Sequence, residues 1–235
     1  MDYSFNFSDI NDLEFEYTDH SIYKFDNHTV PRVTSIISKM IHEDFLMYWS
    51  NNLGLKHKHY KTVLDEAAKL GSKAHKGFEI FLKEGEVRDY APFFPMKAFL
   101  SWWNNIRENN KVEVLGQEHP LVCPYYGGTY DLLLSINGDK WLVDFKTSNK
   151  VTYKYFLQLA AYNIILKDYE NTNLSGVMIL QVEKERPIYH EYFLDFKNQQ
   201  QKDYFNICER TFLSLLYGYY HTLYLERGFK NAVQR

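Results

Sequence analysis

The chain has 235 residues and a mass of 28.1 kDa, with 45% hydrophobic and 24% charged residues. These values exclude a disordered, collagenous or coiled-coil chain and allow one elaborated domain. Lys and Arg number 27 against 30 Asp and Glu, a net charge of −3, so no basic bulk marks a polyanion partner and any nucleic-acid contact is local.

Two cysteines, Cys123 and Cys208, are too few for a zinc finger, a disulfide scaffold or a four-cysteine cluster, which predicts a reduced, intracellular setting. The acidic start Met1-Asp2-Tyr3-Ser4-Phe5 has no apolar run and does not read as a secretory signal, and no stretch approaches the length of a membrane span. No repeat or linker divides the chain, so residues 1–235 read as one domain. It has a mainly helical part (1–110), a sheet with a crossover helix (111–195) and a C-terminal helix (196–235).

In chain order, residues 13–30 alternate (Phe15, Tyr17, Ile22, Tyr23, Phe25) enough for a short hairpin. A helix then opens with Thr34 or Ser35 as N-cap and carries Ile36, Ile37, Met40, Phe45, Tyr48 and Trp49 until Asn52-Leu53-Gly54 stops it. Helices are predicted over about 58–84, ending at Gly85, and about 92–109, whose Phe93, Phe94, Trp102 and Trp103 read as core. From Val112 the period becomes alternating, with strands at 112–114, 121–123, 129–136 and 141–146, the last two joined by the Asn137-Gly138-Asp139 turn. A helix over 152–167, strands near 176–183 and 187–194, and a closing helix from 196 to 226 complete an α+β order with a central mixed sheet flanked by helices.

The chemistry concentrates in Gly127-Gly128-Thr129-Tyr130-Asp131 and Asp144-Phe145-Lys146-Thr147. The 137–139 turn folds the two strands together, so Asp131 and Asp144 can meet at one sheet edge, while Asp144 and Lys146 project from one face. Two carboxylates around a hard cation, with an ammonium beside them, suit phosphodiester hydrolysis. Taken alone, an Asp and a Lys two apart is more often a surface ion pair of little worth. Further residues stand with them: His75 and Glu79 are four apart on one helix, Gln158 and Tyr162 four apart on the next, and Glu118 precedes the hairpin.

Gly71/His75/Glu79, Gly127-Gly128/Asp131, Asp144/Lys146-Thr147 and Gln158/Tyr162 resemble, in order and separation, the four motifs of the PD-(D/E)XK nuclease superfamily in its RecB-like exonuclease branch. Residues 29–35 are also similar to the opening segments of mitochondrial genome maintenance exonuclease and of some phage exonucleases. The resemblance implies a restriction-endonuclease-like core with an N-terminal helical wall and a metal-dependent DNA exonuclease acting on single strands with free ends. It implies that Asp131, Asp144, His75 and the carbonyl of Phe145 bind Mg²⁺ or Mn²⁺, that Lys146 is the catalytic lysine, and that Glu79 is the helical glutamate of some relatives. Gln158 and Tyr162 then brace the lysine or the DNA, and Thr147, Lys73 and Arg32 are candidate substrate contacts. Tyr130 stands where the superfamily name has proline, as is common in this branch, and the cysteines of iron–sulfur members are missing, so no such cluster is expected. The alternatives are an endonuclease of the same fold and a non-catalytic DNA-binding or assembly module.

Overall fold

The computed structural model describes residues 23–42, 44–57 and 59–233. Strands β1 (Tyr23–Phe25) and β2 (His28–Val30) form a small hairpin, followed by helices α1 (Val33–Met40), α2 (Asp44–Leu55), α3 (Tyr60–Glu84) and α4 (Phe93–Asn109). Strands β3 (Val112–Val122), β4 (Gly127–Ile136) and β5 (Asp139–Lys146) lead to α5 (Tyr153–Asp168), then β6 (Gly176–Val182), β7 (Tyr189–Asp195) and α6 (Gln199–Val233). The five long strands make one mixed sheet in chain order, β3-β4-β5-β6-β7, antiparallel except for β5 and β6. The α5 crossover makes that one parallel pairing possible.

Residues of alternate parity feed two cores. Leu133, Leu142, Val177 and Ile179 pack under α1, α5 and α6, whereas Leu132, Leu134, Phe145 and Leu180 pack under α3 and α4 with Phe78, Phe99 and Trp102. This period of two places Asp144 and Lys146, with Leu142, on the α5 face. Asn137 and Gly138 both take positive φ (54° and 92°), the twist a two-residue hairpin needs and that glycine tolerates.

Several boundaries differ from the sequence reading. One helix from 34 to 52 is instead two, α1 and α2, and α2 runs through Gly54 to Leu55. The N-cap of α1 is Arg32, without a side-chain cap bond, because its carbonyl opens the helix by accepting from Ile36. Tyr48 is exposed rather than part of a buried stripe. Phe15, Tyr17 and Ile22 of the expected hairpin, and the side chains of Phe45 and Trp49, lie outside the described residues. The strands expected at 112–114 and 121–123 are one continuous β3, whose alternation is broken by a register shift at Val114/Gly116 and by Glu118 at φ 45°. Trp102 and Trp103 are buried as expected, but Phe93 and Phe94, at 64% and 38% exposure, are not, since they open α4 at its solvent end, Phe93 beside Lys97.

Candidate active site

The β4–β5 ladder has its last rung at Leu132 and Val143. Beyond it, the Asp131 side chain takes the place of a strand carbonyl, its Oδ2 accepting the Phe145 N–H at 2.6 Å. In the gap so formed Asp144 is 2% exposed. Lys146 Nζ lies 2.6 Å from Asp144 Oδ2 as an ion pair outside hydrogen-bond geometry, which leaves that buried oxygen without a hydrogen bond among the described residues.

Helix α5 holds this pair from beneath. Gln158 Nε2 donates to Asp144 Oδ1 at 3.1 Å and to the Tyr162 hydroxyl at 3.2 Å, while its Oε1 accepts from Lys146 at 3.4 Å. The ammonium also lies 4.8 Å from the centre of the Tyr155 ring. Tyr162 is 3% exposed, and a Cβ added at Gly128 would fall 2.4 Å from its ring, so that glycine makes room for the tyrosine. Gly127 does the same for Tyr23, whose hydroxyl bonds Thr129 at 2.8 Å. Of the two roles left open for Gln158 and Tyr162, the hydrogen bonds run from Gln158 to Asp144 and Lys146, with Tyr162 bonded to Gln158.

Helix α3 closes the site from the other face. Gly71 lets it approach strand end β5, where an added Cβ would meet Thr147 Oγ1 at 3.2 Å. One turn on, His75 Nδ1 lies 3.4 Å from Asp131 Oδ1, with its ring edge-on to Phe145. The next residue of that row, Glu79, does not join the carboxylates. It is held by Lys76 at 2.6 Å and Lys83 at 2.8 Å, and these bonds pull its carboxyl below the ordinary range. Glu79 thus lines the same cleft as His75 and Glu118 with its carboxylate engaged by two lysines of its own helix.

Glu118 supplies the acid that the sequence reading did not assign. It falls between the β3–β4 pairs Gln117–Leu132 and His119–Tyr130, hence opposite Asp131, and one donor atom each from His75, Glu118 and Asp131 lie within 4.8 Å of one another. Its left-handed backbone is uncommon for a residue with a side chain and is a local strain of the kind found at functional sites. Counting back from the Val122–Gly127 pair, a register that the structure supplies, puts this acid opposite Asp131.

The titrating groups share one electrostatic condition, too little positive charge among buried carboxyls. Burial, and then Asp131, push Glu118 up to about 7. Burial and Asp131 push Asp144 up to about 6 against the pull of Lys146. Burial disfavours charge on His75 and Lys146 as well, but the facing carboxylates outweigh it and raise both; His75 and Lys146 in turn keep Asp131 low despite its burial.

A cleft of about 360 Å³ opens over Ser72, His75, Lys76, Glu79 and Glu118. Lys73 is exposed on the same helix and is absent from the lining of this cleft. Arg32 sits farther along β4, bridging to Gly127 through its backbone with its guanidinium 5.9 Å from the centre of the Tyr23 ring. Thr147 is buried with its hydroxyl toward Gly71.

No family model matches the chain, and no curated protein matches it. Among solved structures it is similar to SSO0001, at 14% identity over 78% of each chain with a TM-score of 0.36. It is likewise similar to a phage related exonuclease from Haemophilus somnus 129PT, at 12% identity over 85% of this chain and 97% of the other, with a TM-score of 0.36.

Proposed function

We propose that this protein is a divalent-metal-dependent deoxyribonuclease, an exonuclease that degrades single-stranded DNA from a free end. The observation that carries the reading is the gap beyond the last β4–β5 rung, which gathers Asp131, Asp144 and Lys146 under His75 and Glu118. The Asp131 and Glu118 carboxylates and the His75 imidazole, whose donor atoms lie within 4.8 Å of one another, form a donor set that fits Mg²⁺ or Mn²⁺, with the Asp144 oxygen that faces Lys146 as a further oxygen donor. His75, Asp131 and Asp144 would hold the ion, with Glu118 within reach of the first two and the Phe145 carbonyl as the fourth candidate.

Held by these residues, a divalent ion would supply Lewis-acid polarisation of a phosphate oxygen and a more acidic water at neutral pH. Lys146 does the remaining positioning. Its ammonium, fixed between Asp144, Gln158 and the Tyr155 ring, offers a proton donor that orients the attacking water and steadies charge on the phosphate. Water forms the new bond to phosphorus as the bond to the 3′ oxygen breaks, leaving a 5′-phosphate and a 3′-hydroxyl. Gln158 keeps the lysine from swinging away, and Tyr162 keeps Gln158 in place. Helix α3 narrows the approach to this gap, which favours a single strand over a duplex.

End-labelled linear single-stranded DNA and a closed single-stranded circle, each with Mg²⁺, Mn²⁺ or EDTA, test the proposal. The linear strand is expected to be degraded with either metal and spared in EDTA, and the circle to survive. Equal cleavage of the circle would replace the exonuclease reading with an endonuclease, and no cleavage of either would end the nuclease reading.

A further inference from the structure

A second and larger groove lies on the other side of the contact between Gly71 and Thr147. Its volume is about 710 Å³, within the range of roughly 300–1,000 Å³ typical of small-molecule sites. One wall is the first half of α3, where Val63, Ala67 and Leu70 present a half-buried aliphatic strip. The floor is the chain that continues from the catalytic strand, Ser148 and Asn149, together with Gln181. Gln181 is the β6 partner of Lys146 and therefore stands beside it on the same face of the sheet. Its amide is fixed, donating to the Ser148 carbonyl at 2.6 Å and accepting from the Tyr192 hydroxyl at 3.3 Å.

The charges lining this groove are unsuited to a run of phosphates. Glu183 is neutralised by Arg186 at 2.7 Å and by His190 at 3.0 Å when that ring is protonated, but Glu66 and Glu185 remain as exposed acids. Lys184, half-buried, is the one lysine in the lining. An aliphatic wall facing the Gln181 amide, which keeps one N–H and one lone pair beyond its bonds to Ser148 and Tyr192, and the exposed Asn149 amide is instead the chemistry of a nucleobase site, in which the ring lies against carbon and its polar edge meets hydrogen-bonding groups.

We propose that this groove binds the base of an unpaired nucleotide adjoining the phosphate at Lys146. The inference rests on the nuclease reading and deepens it by naming what selects the single strand. The base enters between Leu70 and the Asn149–Gln181 floor, while the backbone stays at the Lys146 end, away from Glu66 and Glu185. A base already paired in a duplex has its hydrogen-bonding edge occupied and cannot present it to that floor.

The test compares two fluorescein-labelled chains of twelve nucleotides, oligothymidylate and an abasic phosphate chain, by anisotropy with Ca²⁺ in place of Mg²⁺. Wild-type protein is expected to bind oligothymidylate at least tenfold more tightly than the abasic chain. Leu70→Trp, which fills the groove, should bring the two to within threefold by weakening oligothymidylate alone. Ala67→Phe fills the same wall from the exposed part of α3 and serves as the second variant should Leu70→Trp melt below wild type. Oligothymidylate affinity unchanged in the folded variants, or both chains weakened equally, overturns the base site. If Asp144→Asn still abolishes wild-type cleavage in that case, the nuclease reading stands without it. Wild-type protein that binds neither chain overturns the base site as well, and the nuclease reading then rests on the cleavage assay alone.

Discussion

The two ends of the β4–β5 hairpin carry similar residue types under opposite physical conditions. At the turn end Asn137 accepts from the Lys111 N–H and bonds Asn110, and Asp139 is met by Lys197 and Ser175, all at the surface. Charge there is shared with water, and Asp139 is drawn below its ordinary pKa by the Lys197 bond. At the open end Asp144 sits in a gap that burial has cut off from solvent, and its pKa moves up, to about 6. An ion pair at the first end is an ornament to a turn. At the second end carboxyls are confined without enough positive charge, an arrangement that costs stability and prepares the site for a cation.

The sharpest way to break this contrast is Asp144→Asn, which keeps the shape and removes the charge. Cleavage of labelled single-stranded DNA should fall more than a hundredfold, about 2.7 kcal/mol of barrier. Activity within tenfold of wild type would remove Asp144 from the chemistry.

The pH dependence of the metal-free fold is the next largest effect. Asp144 and Glu118 hold protons in the folded chain at pH values where the unfolded chain has lost them, since their folded values of about 6 and 7 exceed reference values of 3.8 and 4.5. Their contribution to stability is full below about pH 4 and is lost as pH rises through about 6 and then about 7. His75, raised as well, acts in the same direction. Urea midpoints should therefore fall between pH 5 and 8, by an amount on the order of 2–3 kcal/mol. Glu118→Gln should remove the upper part of that fall, and saturating Mn²⁺ should stabilise wild type above pH 7. A midpoint that climbs over this range would contradict the charge-deficient picture.

Gly128→Ala tests the packing beneath the site. The added methyl has to displace the Tyr162 ring, and overpacking of this kind costs about 1–3 kcal/mol. Cleavage should fall with it, because Tyr162 carries Gln158 and Gln158 carries Lys146. At the other end of the hairpin Lys197→Ala removes an exposed partner of Asp139, and neither melting temperature nor cleavage should change measurably.

What the sequence made legible follows the same division. The turn at 137–139, the strands on either side of it and the residues that meet at their open end could be read because a period of two and a two-residue turn fix both register and face. Glu118 escaped because its left-handed backbone interrupts the alternation of β3, so that strand reads as two fragments with the acid in neither. For Glu79 helical spacing gave the face of the side chain but not its partners, Lys76 and Lys83, which are spaced to reach it. Tyr162 was readable as a neighbour of Gln158, but its burial depends on Gly128, which belongs to another element.

The hydrogen bond from Phe145 to Asp131 turns one backbone amide into a gauge. Phe145 lies past the last β4–β5 rung, so on that side its proton is kept from the solvent by a side chain rather than by a neighbouring strand. Its chemical shift and hydrogen-exchange rate consequently register the state of the Asp131 carboxylate directly. A single cross-peak in a nitrogen–proton spectrum thus follows protonation, cation entry and strand arrival at the centre of the molecule, with no label placed in the site.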